Sequence, residues 1–135
     1  MRIRPDDVET MSFDWGTIKW FVTPSAIAGA ASTLGEVIIL PGRGHERHNH
    51  PGAEELIYVV SGEGEQTVGD DPPFTIREGD VVHVPVAAFH STFNRTWRPL
   101  RLIVTYTPGG EEQVLTGLPG YQAHPAGSHP QWQRA

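Results

Sequence analysis

Residues 42–62 read GRGHERHNHPGAEELIYVVSG, and three possible metal ligands fall within the eight residues from His48 to Glu55. His48 and His50 are separated by one residue, and side chains two apart on an extended strand face the same way. Both imidazoles are therefore expected to look to one side. Pro51-Gly52 is a turn pair, so Glu55 falls on a new extended run, Glu54 to Ser61, which can fold back beside the first. Two imidazoles and a carboxylate on adjacent strands suit borderline divalent metals such as manganese, iron, nickel or zinc. A fourth possible ligand, His90, follows in HVPVAAFHSTFN.

Outward from this stretch the chain keeps a short rhythm. Phe13 to Val22, Gly35 to Leu40, Leu56 to Val60, Glu65 to Val68, Phe74 to Arg77, Val81 to Val84, His90 to Asn94 and Leu100 to Thr107 read as strands. Gly, Pro and Asp turn signals separate them. Strands at spacings of roughly ten residues indicate an all-β sandwich or barrel. No segment has a sustained helical period, and 15 Gly with 12 Pro would interrupt one. Residues 1–12 read as a loosely held arm, 13–110 as the barrel domain and 111–135 as a tail, with one helical turn over Glu111 to Thr116. Thr23 to Thr33 reads as a loop able to cover the barrel mouth.

At 135 residues the chain suits one domain with a core that needs no cross-links. It has no cysteine, which excludes disulfides, thiolate zinc sites, iron–sulfur clusters and cysteine nucleophiles. A net charge of −6 and a single lysine, Lys19, argue against nucleic acid. No apolar run has the length of a membrane span and the N-terminus has no signal-peptide core, so the expectation is a cytoplasmic protein without a membrane partner.

Two motifs in this sequence resemble those of the cupin superfamily. The first is glycine, five residues, His-x-His, three or four residues, Glu, six residues, glycine; Gly42, His48, His50, Glu55 and Gly62 meet every spacing. Glu54 is the neighbouring alternative, but only Glu55 leaves six residues before Gly62. The second is glycine, five residues, Pro-x-Gly, two residues, His, three residues, Asn. Gly79, Pro85, His90 and Asn94 match it, while Ala87 replaces a glycine and implies a slightly different turn. The resemblance implies a jelly-roll β-barrel, the double-stranded β-helix of cupins, with one divalent metal ion held inside by His48, His50, Glu55 and His90.

Alternation then assigns faces. With Glu55 inward, Ile57 and Val59 are inward, and Leu56, Tyr58 and Val60 face the other layer. With His90 inward, Thr92 and Asn94 form a polar floor and are candidate substrate contacts. Arg101 is a candidate anion anchor if its face is internal. His83 and Glu54 are candidate catalytic bases. His45, His124 and His129 read as solvated, and Trp15, Trp20, Phe21, Tyr58 and Tyr106 as packing.

A metal with open positions polarises a chelating substrate and acidifies a neighbouring C–H. The expected activity is therefore isomerase or lyase chemistry on a small oxygenated substrate such as a sugar, uronate or oxo acid. A cupin dioxygenase is the alternative enzyme, and a non-catalytic sugar-binding module the alternative outside catalysis. The aromatic N-terminal strand, with an edge to protect, suggests a homodimer.

Overall fold

The computed structural model describes residues 1–130; the last five residues of the expected tail lie outside the described residues. The strands are β1 (Thr10–Phe13), β2 (Gly16–Val22), β3 (Thr33–Ile39), β4 (Gly44–His48), β5 (Glu54–Ser61), β6 (Glu63–Val68), β7 (Phe74–Arg77), β8 (Val81–Val84), β9 (His90–Phe93), β10 (Leu100–Thr107) and β11 (Gln122–His124). They form a seven-stranded sheet, β11-β1-β2-β3-β10-β5-β8, and a four-stranded sheet, β4-β9-β6-β7. Their pairings are antiparallel. This is the expected all-β jelly roll. Among the described residues, no helix is long and apolar enough to cross a membrane.

Period-two patterning builds the core. On β5, Glu55, Ile57 and Val59 are buried while Leu56 and Tyr58 are exposed. Leu100, Leu102, Val104 and Tyr106 fill the inward face of β10, and Val82 and Val84 that of β8. Leu56 and Tyr58 thus face outward, not towards the other layer, because the core lies on the side their neighbours occupy.

The two motifs are knitted at their ends. The Gly42 N–H donates to the Asn94 carbonyl, and the Asn94 N–H to the Arg43 carbonyl, each at 2.8 Å. Gly62 has φ +91°, and a Cβ there would lie 2.6 Å from the Pro99 carbonyl oxygen, so the position demands glycine for both reasons.

Three expectations change. Phe13 to Val22 is two strands, because Asp14-Trp15 forms a hairpin turn that pairs Phe13 with Gly16. Thr10–Phe13 is buried strand, not loose arm. The tail also contributes structure: β11 pairs with β1, placing Thr10 opposite His124. His124 is consequently half-buried, its Nε2 2.7 Å from the Ser12 hydroxyl. The expected helical turn is a 3₁₀ segment, Glu111–Gly117.

Candidate metal centre

The four motif side chains meet inside the barrel. One ligand atom from each of His48, His50, Glu55 and His90 lies within 4.8 Å of the others. β4 and β9 pair His48 with His90 in register, β5 carries Glu55, and His50 follows the end of β4 in the turn that leads into β5. His50, Glu55 and His90 are 3%, 5% and 2% exposed, and His48 is partly buried, so the group opens on the His48 side.

The donor chemistry fits a divalent cation. Both ring nitrogens of His50 are buried with no hydrogen-bond partner, and Nε2 of His90 and Oε2 of Glu55 are buried with only each other to face. Glu55 Oε2 lies 2.7 Å from His90 Nε2 and 3.7 Å from His50 Nε2. Ligands about 2.1 Å from a shared ion stand roughly 3 Å apart when adjacent and about 4 Å apart when opposite. Uncompensated buried polar atoms are costly, and an ion at their centre would take one nitrogen from each imidazole and the Glu55 carboxylate oxygen. The outer contacts agree: His48 Nδ1 lies 2.6 Å from the Glu46 carbonyl and His90 Nδ1 3.0 Å from that of Ala88. A ring that donates Nδ1–H to a carbonyl keeps Nε2 unprotonated for a metal.

The electrostatics are those of crowded, dry imidazoles. Burial, then the His90 charge, pushes the His48 and His50 pKa values down to about 4. His45 falls to about 3 through burial and then His48. At His90 burial also works downward, but the adjacent Glu55 carboxylate outweighs it and the net shift is upward.

Several other sequence-derived assignments are corrected. His83 and Glu54 lie on the outer face of the seven-stranded sheet, where His83 Nε2 meets Glu54 Oε2 at 2.9 Å; alternation turns both away from the cavity. Arg101 is also outside, with two guanidinium nitrogens on Glu36 Oε2 at 2.7 and 3.0 Å. Thr92 and Asn94 do point inward and are buried, but their polar atoms are committed. Thr92 donates to Gln66 at 2.5 Å. Asn94 Nδ2 donates to the Ile39 and Arg98 carbonyls, and its Oδ1 accepts from the Thr96 N–H and hydroxyl. Ala87 makes the glycine-type turn after all, at φ +64°.

Two neighbours of the cluster escaped the sequence reading. Tyr106 pairs with Glu55 in register and packs its ring 4.4 Å from that of His50; burial, then the Glu55 charge, raises its phenol pKa. The apolar alternation along β10 could have revealed this inward face and excluded Arg101 from it. His45 is stacked between Trp15 at 4.8 Å and His48 at 3.9 Å. It stands three residues before His48, the opposite face by strict alternation. A register irregularity in β4 between His45 and His48 restores both to one side.

A cleft of about 550 Å³ reaches the cluster beside β4, between Trp15, His45, His48, Phe93 and Leu118. A cavity of about 560 Å³ lined by Trp20, Thr23 and Glu112 includes none of the four motif residues.

Fold and site together define a double-stranded β-helix with three histidines and a glutamate converging inside it. The family described as Cupin domain matches residues 35–106, and the chain belongs to the cupin family. The uncharacterized protein MJ1618 of Methanocaldococcus jannaschii is 28% identical over 102 residues, covering 75% of this chain and 81% of that protein. CurC of Streptomyces cyaneus, named a polyketide synthase, is 27% identical over 93 residues, 69% of this chain and 60% of that one. Among solved structures, an oxalate decarboxylase of Bacillus subtilis with Mn(II) centres superposes with a TM-score of 0.67 at 24% identity. That match covers 73% of this chain but only 27% of the decarboxylase chain, a likeness of fold.

Proposed function

We propose that the chain is a metal-dependent cupin enzyme, acting as an isomerase or lyase on a small substrate with two neighbouring oxygens, and that it works as a homodimer. The observation that carries this reading is the convergence of buried donor atoms on His50, Glu55 and His90 beside His48. His48, His50, Glu55 and His90 would hold one divalent ion, and manganese, iron, nickel and zinc all suit that donor set. The likeness to a manganese protein favours manganese. The similarity to a protein named as a polyketide synthase supports a carbonyl-rich substrate.

A divalent ion held there would draw electron density from a substrate carbonyl and acidify the adjoining C–H. The chain's own residues supply the remaining conditions. Tyr106, packed on His50, closes one side of the cluster to water, and a dry surround strengthens every charge interaction within it. The Glu46 and Ala88 carbonyls hold the His48 and His90 rings in one tautomer. Substrate reaches the open His48 side through the cleft beside β4.

Elemental analysis of the purified protein beside a His48→Ala, His50→Ala variant tests the reading. Near-stoichiometric metal in the parent and at least a tenfold loss in the variant are expected, since even outer-shell changes cost roughly 10–100-fold in affinity. A parent that takes up no metal on supplementation would overturn it. Bound iron or nickel would move the reading towards oxygen-using cupins. Retention of a sugar after chelation of the metal would move it to a binding module.

A further inference from the structure

His45 is a chemistry-bearing side chain beside the cluster that the ligand set leaves unused. Its ring lies 4.8 Å from Trp15 at 16° and 3.9 Å from His48 at 26°. Trp15 is stacked in turn on Phe13, at 4.9 Å and 1°. The four rings form a column that ends on a motif histidine and fixes the position of His45. With neighbours stacked along the column, what His45 offers the cleft it lines is its edge, which carries both nitrogens. No hydrogen bond engages either nitrogen among the described residues. A ring needed only for stacking would not require them.

We propose that His45 contacts the substrate: its ring edge hydrogen-bonds an oxygen beyond the chelating pair, so that the cleft selects compounds bearing a third oxygen. This rests on the metal-dependent reading above and adds its specificity. The ligand class is an oxygen-rich compound with two adjacent oxygens for the metal and a hydroxyl further along the molecule.

Two hydroxypyranones that share a chelating hydroxyl–carbonyl pair make the test. Kojic acid carries a hydroxymethyl group at the ring position where allomaltol has a methyl. Both are titrated calorimetrically into manganese-loaded protein whose metal content has been measured. One hydrogen bond is worth roughly a fivefold difference in affinity, so the parent is expected to prefer kojic acid by about that factor. His45→Phe keeps a stacked ring and removes both nitrogens; it is expected to bring the ratio close to one with manganese content unchanged. His45→Gln, which restores a hydrogen-bonding group, is expected to recover part of the preference and serves if the Phe variant does not fold. Bound manganese with no preference in the parent, or with an undiminished preference in the variants, overturns this inference alone. Absence of bound manganese overturns the metal reading as well, and the elemental analysis shows which has failed.

Discussion

Asn94 shows how a motif position can be read correctly and its purpose misread. Its placement, four residues after His90, follows from the spacing, and its inward direction follows from alternation. Its occupation with the backbone does not, because the partners lie on segments as far apart in sequence as Ile39 and Arg98. The amide joins the β3 end to the loop after β9, and its oxygen caps Thr96. Asn94→Ala would leave the buried Ile39 carbonyl and the part-buried Thr96 N–H without the amide, while the Arg98 carbonyl keeps the Thr96 hydroxyl; two groups at roughly 1–3 kcal/mol each make the expected loss about 2–6 kcal/mol. Urea denaturation should record that loss while the folded variant still takes up metal. Unchanged stability would return Asn94 to the list of substrate contacts. Ala87 makes a related point: a positive φ is available to a non-glycine residue when neighbours hold it. Here its N–H donates to the His50 carbonyl and its own carbonyl accepts from Asn49.

At the level of strands, the period-two signal was strong wherever one face is core, as on β3, β5 and β10, and these strands were legible for that reason. It failed at β4, whose irregular register moves His45 onto the face of His48, and at β11, three residues recruited by the edge of β1 and not by their own pattern. The same strands make the proposed dimer specific. The N-terminal aromatics suggest the homodimer in the sequence, but Phe13 and Trp20 are in the core. The apolar surface lies instead across the seven-stranded sheet, where Ile103, Tyr58 and Val81 sit side by side in register and Leu56 adjoins them. Tyr58 and Val81 are 45% and 63% exposed. Beside the patch Arg101 is paired with Glu36, and Glu54 lies against His83, which lowers the charge that two copies meeting face to face would bring together. Light scattering behind size-exclusion chromatography should show a dimer for the parent and a monomer for Tyr58→Lys, which places two cations at the centre of the contact. A dimer that survives Tyr58→Lys would put the interface elsewhere; a monomeric parent would remove it.

For the whole molecule, the cluster that makes function possible is also a load on the fold, and pH exposes it. His45, His48 and His50 have folded pKa values of about 3, 4 and 4, against 6.5 for an unfolded histidine. A lowered folded pKa means that the unfolded chain binds protons more readily, so the stability these groups allow is complete above pH 6.5 and declines as pH falls towards 4. His90 is shifted the other way. Its contribution is fully present below pH 6.5 and is lost only as pH rises through its folded value, so it does not offset a decline that occurs below 6.5. Three histidines resist protonation in the folded state, and a loss of about 1 kcal/mol lowers the melting temperature of a domain this size by roughly 3–6 °C. Metal-free protein should therefore melt at least about 5 °C lower at pH 5 than at pH 7, most of the fall occurring below pH 6.5, before ordinary carboxylates begin to titrate. Manganese-loaded protein should melt higher than the metal-free form at pH 7 and lose that advantage on acidification, because protons and metal compete for the same imidazole nitrogens. Differential scanning calorimetry across pH 5–8 measures both. A metal-free melting temperature that is flat or rises between pH 6.5 and 5 would mean that the three imidazoles are solvated, and that the cluster is not the dry site its unpartnered atoms describe.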